Sequence, residues 1–370
     1  FQNNENNIVA YDWDGDGKAE AVLRASDGTV VHTASGKTIE IGDMNANYRP
    51  AGPNTGANFF VHEGQEFLLY LNGETGDAYQ IMEYPLKRLE PGEYSLDAAW
   101  GDGYGHRSTK HFFGAPVLDG RNPSIFLARG IYTRHKMVAY DVDPATHTLV
   151  ERWRWNNNTP GSSWYGQGYH NYGIADVDWD GRDEIVFGSM VIDDNGKGLS
   201  TSGLGHGDAQ HCSDFDPYTF GQEIFACNES QPNNNYRDAT TSKIYYRSLG
   251  TSDDGRAMMG KFVRDIPGAV GVSAADPNLV GAVAHAAVEG FNKGNFHITQ
   301  NMRIYWDGDL CEETFDYRNG KNTAGHIMKA ETGEIAVLEG SMTNNDTKGT
   351  PCYQGDVLGD WREEVIMRTA

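Results

Sequence analysis

The sequence predicts an all-β chain folded as a β-propeller, and three observations carry that prediction. Amphipathic helical periodicity is absent over the 370 residues. Short apolar runs recur instead, each bounded by Gly, Asp, Asn or Pro, as strands ended by turns require. Two signatures then repeat along the chain, and most gaps between copies of the first suit a four-stranded unit of roughly 40–50 residues.

The first signature is acidic. Asp12-Trp13-Asp14-Gly15-Asp16-Gly17-Lys18-Ala19-Glu20 runs into Ala21-Val22-Leu23. Asp176-Val177-Asp178-Trp179-Asp180-Gly181-Arg182-Asp183-Glu184 runs into Ile185-Val186-Phe187. A degenerate copy spans Asp356 to Glu364, and a copy one residue longer joins Asp214 and Asp216 to Glu223. Weaker echoes lie at Asp119 and Asp276. The second signature is a turn between strands, Leu71 to Asp77, repeated at Met328 to Glu334 and more loosely at Asp238 to Lys243. Each copy reads as a hairpin with Gly or Ser at the reversal. A ring of such repeats covers its own strand edges, whereas a solenoid would show tighter periods. Residues 1–370 are therefore expected to form one propeller domain. Long loops are expected at roughly 31–62 and 88–112.

Composition narrows the partners. The chain carries 52 acidic against 30 basic residues, a net charge of −22, so no basic surface is available to neutralise nucleic-acid phosphates. A polyanionic ligand would need local Arg, Lys or metal. None of Cys212, Cys227, Cys311 and Cys352 sits in a C-x-x-C pattern, which argues against a thiolate zinc site. Cys212 and Cys227 are a candidate pair. No apolar run reaches the length of a membrane span.

The acidic loops are expected to bind calcium. In D-x-D-x-D-G-x-x-E, a tight loop turns the carboxylates at positions 1, 3 and 5 inward, position 7 offers its carbonyl, and the Glu at position 9 closes the shell. Hard oxygen donors suit Ca²⁺ over a transition metal. The expected ligands are Asp12, Asp14, Asp16, Lys18 and Glu20, then Asp176, Asp178, Asp180, Arg182 and Glu184. Partial sets are Asp214, Asp216 and Glu223, and Asp356 with Asp360, where Leu358 at position 3 weakens the site. An EF-hand is excluded, because position 12 is Leu23 or Phe187 and no helix pattern follows. The plain alternative is a solvated acidic turn; two full and two partial copies in equivalent settings favour the metal.

A second candidate metal site is built on histidine. In Gly205-His206-Gly207-Asp208, an extended backbone points His206 and Asp208 to one side, and the flanking glycines permit close approach. Gly166-Gln167-Gly168-Tyr169-His170 has the same character. His170, His206, Asp208 and Glu229 are candidates to converge, although a lone His is more often a hydrogen-bonded polar residue.

The segments Tyr11 to Glu20, Arg129 to Arg134, Gly166 to Asp176, Gly203 to Ala209, Trp306 to Leu310 and Gly359 to Val365, in this order, resemble the polysaccharide lyase family 11 rhamnogalacturonan lyases. The resemblance covers nearly the whole chain, and it implies a propeller domain that is incomplete at both ends of residues 1–370. It implies an eight-bladed β-propeller with several Ca²⁺ ions and cleavage of rhamnogalacturonan I, the alternating rhamnose–galacturonate chain of pectin, by β-elimination. It also implies that His170, His206, Asp208 and Glu229 bind calcium near the cleft and that Arg256 is an active-site arginine. Asn345 to Lys348 resembles an Asn-Gly-Thr-Lys cleft loop, with Asp346 in place of Gly. Lys348 is the expected base and Arg256 the stabiliser of the uronate carboxylate, with exchanged roles as the alternative. Asn345, Thr347 and Tyr132 are expected to contact sugar, and Tyr104, Tyr132 and Trp164 to offer stacking faces. The partner expected is an acidic plant cell-wall polysaccharide. The expected location is secreted, periplasmic or cell-surface, of bacterial type, and the expected state a monomer.

Two rivals stand beside the lyase. One is a non-catalytic calcium propeller that binds a glycan or protein, as integrin heads do. The other is a glycoside hydrolase using paired carboxylates, for which no pair outside the acidic loops has a distinctive setting.

Overall fold

The computed structural model describes residues 4–5, 8–52, 60–250, 253–345 and 348–369. The chain is nearly all β. Its helical content among the described residues is one short helix, Leu96–Trp100, and two single 3-10 turns, Arg107–Thr109 and Lys293–Asn295. It divides into two compact units, Phe1–Gly203 and Leu204–Ala370.

In the first unit, three open sheets follow one another along the chain. Sheet 1 is made of Ile8–Tyr11, Glu20–Ser26, Glu66–Asn72 and Ala78–Glu83. Sheet 2 is made of Lys110–Gly114, Ile125–Arg129, Lys136–Asp143 and Thr148–Asn156, with Asn4–Glu5 added in parallel at one edge. Sheet 3 is made of Gly173–Ala175, Glu184–Phe187, Met190–Ile192 and Gly198–Thr201. In every sheet the four main strands pair antiparallel in sequence order.

Strand periodicity explains the packing. Successive side chains leave a strand on opposite faces. Phe113, Ile125, Leu127 and Val138 of sheet 2 accordingly pack with Val22, Leu68 and Tyr70 of sheet 1 and with Trp13 of the loop between its first two strands. Their neighbours Phe112, Phe126, Ala128 and Met137 pack with Ile185, Phe187 and Met190 of sheet 3. A sheet covered on both faces needs continuous apolar strands, which is why Lys110–Gly114 and Ile125–Arg129 do not alternate with polar residues.

The second unit repeats the scheme. Sheet 4 holds Ala209–Ser213, Glu223–Asn228, Asn233–Asp238 and Ile244–Leu249. Sheet 5 holds Ala257–Gly260, Val270–Ser273, Asn278–Gly281 and Ala286–Asn292. Sheet 6 holds Met302–Ile304, Glu313–Tyr317, Gly325–Lys329 and Gly333–Val337. Two short pairs follow: Ser341–Met342 with Arg368–Thr369, and Tyr353–Gly355 with Glu364–Ile366. Phe225, Cys227 and Tyr236 of sheet 4 pack on Ala257, Met259 and Val280 of sheet 5. Phe315 and Ile327 of sheet 6 pack with Val365 and Met367.

The turn signature marks the last hairpin of a sheet. Gly76, Ser242 and Gly333 stand at the reversal with φ of 71°, 58° and 90°. His147 and His285, both at φ 52°, hold the same place in sheets 2 and 5.

Two expectations are corrected. The segments expected as long loops contain structure: Thr29–His32 pairs with Thr38–Ile41 as a hairpin whose Ile41 enters the core beside Leu69, and the helix Leu96–Trp100 buries Trp100. Cys212 and Cys227 are not bridged to each other. They lie on adjacent strands, but Cys212 faces Ile224 and Cys227 faces Ala209, so the register keeps them three rungs apart.

Candidate functional site

Each acidic loop joins the first strand of a sheet or strand pair to the second. The Glu at position 9 has a backbone task. Its carboxylate accepts the N–H of the position-2 residue: Trp13 to Glu20 at 3.1 Å, Val177 to Glu184 at 2.7 Å, Phe215 to Glu223 at 2.9 Å, and Val357 to Glu364 at 2.9 Å. Trp13, Val177 and Phe215 are buried, so this bond pins an apolar plug under each of those loops. The Asp at position 1 accepts further backbone N–H groups, from Gly15 and Gly17 in the first loop and from Asp180 and Gly181 in the second.

The remaining carboxylate oxygens gather. Oxygens of Asp12, Asp14 and Glu20 lie within 4.8 Å of one another, as do those of Asp176, Asp178 and Glu184. Glu184 also meets Asp193 and Asp194 within the same distance. Glu184 is fully buried and its Oε1 has no hydrogen-bond partner among the described residues. Burial first, and then the charges of Asp178, Asp176 and Asp180, push its carboxyl up to about 8. A buried anion among anions calls for a cation, and these groups could hold a metal ion.

Asp16 and Asp180 instead accept the backbone N–H of Lys18 and Arg182. The Lys18 and Arg182 side chains pair with Glu74 and Asp194. In the third loop both Phe215 and Asp216 donate to Glu223, whose carboxyl is pushed up to about 7, chiefly by burial. Asp214 adds its charge to that shift. Asp356 accepts the N–H groups of Gly359, Asp360 and Trp361, and Asp360 is held by the Arg362 guanidinium.

Two features were not legible in the sequence. The first is a repeated clasp. His147 Nδ1 lies 3.1 Å from Asp14 Oδ2 with its ring stacked on Tyr79 at 4.0 Å. His285 Nε2 lies 3.4 Å from Asp216 Oδ2, stacked on Tyr245 at 4.1 Å. The second is a further acidic group, Asp307, Asp309 and Glu313. Trp306 N donates to Glu313 at 3.0 Å, so Trp306 matches Trp13 and Tyr305 stands where Asp12 would. The Lys329 ammonium fills this group, bonding Asp307, Asp309 at 2.7 Å and Glu313 at 3.1 Å.

The second unit also assembles the expected catalytic residues. A His206 ring nitrogen and oxygens of Asp208 and Glu229 lie within 4.8 Å of one another. His206 follows Gly205, which adopts φ 84°, and is buried. Asn228 Nδ2 bonds Gly205 O at 2.8 Å, and Glu229 N bonds His206 O at 3.0 Å, so the end of one strand sets this loop. Burial, then Asp208 and Asp253, push the Glu229 carboxyl up to about 7, and Lys348 opposes them. Lys348 Nζ lies 3.7 Å from Asp208 Oδ2. Arg256 precedes the first strand of sheet 5, and its Nη1 donates to Asp316 Oδ2 at 3.3 Å. Asp253 and Asp316 were missed in the sequence; the run Asp253-Asp254-Gly255-Arg256 was the available signal for the first.

The other expected residues are placed as follows. In the first unit, Tyr132, at φ 63°, bonds His170 Nε2 through its hydroxyl at 3.3 Å, and the Arg107 guanidinium lies over its ring. Tyr104 is exposed and stacks on His106. Trp164 is partly buried and packs edge-on against Trp155. In the second unit, Asn345 adopts φ 64°. Thr347 lies outside the described residues.

Comparison with known proteins follows this geometry. Residues 4–370 match the family described as rhamnogalacturonan lyase family 11, C-terminal domain. The chain is 38% identical over 384 aligned positions to the rhamnogalacturonan exolyase YesX of Bacillus subtilis, covering 98% of this chain and 58% of the relative. It is 36% identical to the rhamnogalacturonan endolyase YesW of the same organism, covering 98% and 55%. The crystal structure of the exotype lyase YesX superposes with a TM-score of 0.85 at 37% identity, over 98% of this chain and 59% of that one. A rhamnogalacturonan lyase of Bacillus licheniformis gives 0.84 at 36%, over 98% and 58%. The chain thus spans a little over half the length of the relatives it matches.

Proposed function

The chain belongs to rhamnogalacturonan lyase family 11, and from that membership we propose that it cleaves the rhamnose–galacturonate backbone of rhamnogalacturonan I by calcium-assisted β-elimination. The observation that carries the reading is the placing of two cations, Lys348 and Arg256, each beside a carboxylate in a strongly acidic unit.

β-Elimination takes the C5 proton of a uronate. The C–H electron pair becomes the C4–C5 double bond, and the C4–O4 bond breaks with its electrons leaving on oxygen, which then takes a proton. Arg256 is paired with Asp316, and its forked guanidinium suits the uronate carboxylate, where charge grows as the proton leaves. Lys348 is then the base, and a lysine can lose its proton where an arginine cannot. Tyr132, Asn345 and Thr347 are proposed sugar contacts.

The residues fit calcium. His206, Asp208 and Glu229 combine hard oxygens with one imidazole, and the acidic loops hold buried carboxylates with too little positive charge among them. Calcium bound by Asp208 and Glu229 would supply positive charge for the uronate. The loop groups Asp12–Asp14–Glu20 and Asp176–Asp178–Glu184 would hold structural ions.

An eight-bladed, single-domain propeller is the architecture we propose for the family unit. Support comes from antiparallel four-strand meanders packed face to face in chain order within each unit. A polymeric cell-wall substrate suits a secreted or cell-surface protein.

Mass spectrometry of the products tests the reaction. Elimination gives fragments one water lighter than hydrolysis does; Lys348→Ala loses them, and Arg256→Ala forms them far more slowly but measurably. Hydrated products would point to a hydrolase; binding without products would point to a non-catalytic propeller.

A further inference from the structure

We propose that Asp316 is a positioning residue that fixes Arg256 and the Lys348 loop relative to each other; the proposal rests on the lyase reading of those two cations. Asp316 lies on the strand Glu313–Tyr317 of sheet 6, with its side chain 8% exposed. Its two oxygens have separate duties. Oδ2 accepts from Arg256 Nη1 at 3.3 Å. Oδ1 accepts from Gly349 N at 2.7 Å and from Tyr317 N at 2.8 Å. One buried carboxylate therefore holds the guanidinium and the residue next to Lys348.

The loop is clamped from a second side. Asn301 Nδ2 donates to the Gly349 carbonyl. Gly349 also lies so close to the strand that a Cβ there would stand 2.1 Å from Tyr317 N and 2.6 Å from the Asp316 carbonyl carbon. Only glycine permits that approach. Both peptide groups of Gly349 are thus tied to sheet 6 or its approach, and the backbone leading out of Lys348 is held against the strand that anchors Arg256.

This arrangement matters because elimination needs a base at C5 and a cation at the carboxylate of the same sugar ring. A misplacement of about 1 Å can cost on the order of 100-fold in rate. A purely structural reading treats Asp316 as a counter-ion for a half-buried arginine. The two readings separate by chemistry. Asp316→Asn keeps one oxygen for the Gly349 and Tyr317 N–H groups but turns an amide NH₂ toward Arg256, so it breaks one tie and keeps the other. Asp316→Ala breaks both.

The test uses the full chain, with initial rates of unsaturated-product formation on rhamnogalacturonan I and amide hydrogen exchange read at Gly349. Asp316→Asn is expected to lower kcat by roughly 10- to 100-fold, with KM and the unfolding temperature near those of the parent. In an Arg256→Ala background the same substitution has little further effect, because its partner is gone. Asp316→Ala accelerates exchange at Gly349, and Asp316→Glu, which retains the carboxylate, recovers part of kcat. A parental kcat in Asp316→Asn, equal losses in both backgrounds, or unchanged Gly349 exchange in Asp316→Ala would overturn the proposal. If the parent chain forms no unsaturated product at all, the lyase reading falls and takes the catalytic half of the proposal with it. Exchange at Gly349 then decides the anchoring half alone.

Discussion

Replacing Lys329 with Asn should turn an internally neutralised acidic loop into a metal-dependent one. In sheet 1 the residue paired with the loop glutamate, Glu20, is Asn72. In sheet 6 the pairing of Thr314 with Met328 puts Lys329 at that position, and its ammonium lies among Asp307, Asp309 and Glu313. Burial opposes the charge on Lys329, but hydrogen bonds to the three acids outweigh it and raise its pKa. The side chain is 15% exposed, Glu313 is fully buried, and Asp307 and Asp309 are 37% and 26% exposed. Breaking a buried ion pair costs about 3–5 kcal/mol, and exposed pairs count for under about 1 kcal/mol. The intermediate burial places Lys329→Asn at a loss of about 2–4 kcal/mol in chelator. Calcium at a hundredfold excess over Kd returns about 2.7 kcal/mol. Thermal unfolding with chelator and with millimolar calcium, alongside equilibrium dialysis, measures both effects. The variant should unfold lower in chelator, recover in calcium and bind one ion more than the parent. Unfolding at the parental temperature in chelator, or no recovery and no added ion, would refute the reasoning.

Other predictions concern different parts of the molecule. Burial would raise the Glu66 carboxyl, but Arg129, Arg88 and Arg24 outweigh burial and lower it to about 2. Because its folded pKa is depressed, its contribution is present above about pH 4.5 and lost as pH falls toward 2, roughly 3 kcal/mol in all. Glu66→Gln should flatten the fall of unfolding temperature across that window, whereas parallel curves would contradict the assignment. Gly349→Ala should abolish turnover with little change in global unfolding, since the clash is confined to the loop and one strand; full activity would contradict the close approach. Reductant should leave the unfolding temperature unchanged, because the register keeps Cys212 and Cys227 three rungs apart; a large drop would show a bridge.

What the sequence revealed follows from how local each signal is. The loops at Asp12 and Asp176 were legible because their acids, glycines and terminal Glu lie within nine consecutive residues. The loop at Asp307 was not recognised as a copy, because Tyr305 replaces its first acid and its cation arrives from a strand twenty residues on. Asp193 and Asp194 reach Glu184 only through the pairing of Ile185 with Ile192, and no linear pattern encodes that register. The histidine clasps depend on His147 and His285 occupying a turn position that Gly or Ser fills elsewhere. Asp316 reads as a strand residue between Phe315 and Tyr317, and its two ties run to residues 60 and 33 positions away. The strands themselves were easier, since apolar runs such as Ile125–Arg129 report burial on both faces. The hairpin Thr29–Ile41 was missed because its strands are only four residues each, although Val30, Val31, Ile39 and Ile41 are β-branched apolar residues.

The most direct test of the central claim is ultraviolet absorbance during incubation with rhamnogalacturonan I, first with calcium, then with chelator, then with calcium restored. The account predicts absorbance from the C4–C5 double bond that grows with calcium, stops with chelator, resumes on restoration and is lost in Lys348→Ala. No absorbance from folded, calcium-loaded protein, or growth indifferent to chelator, would contradict it.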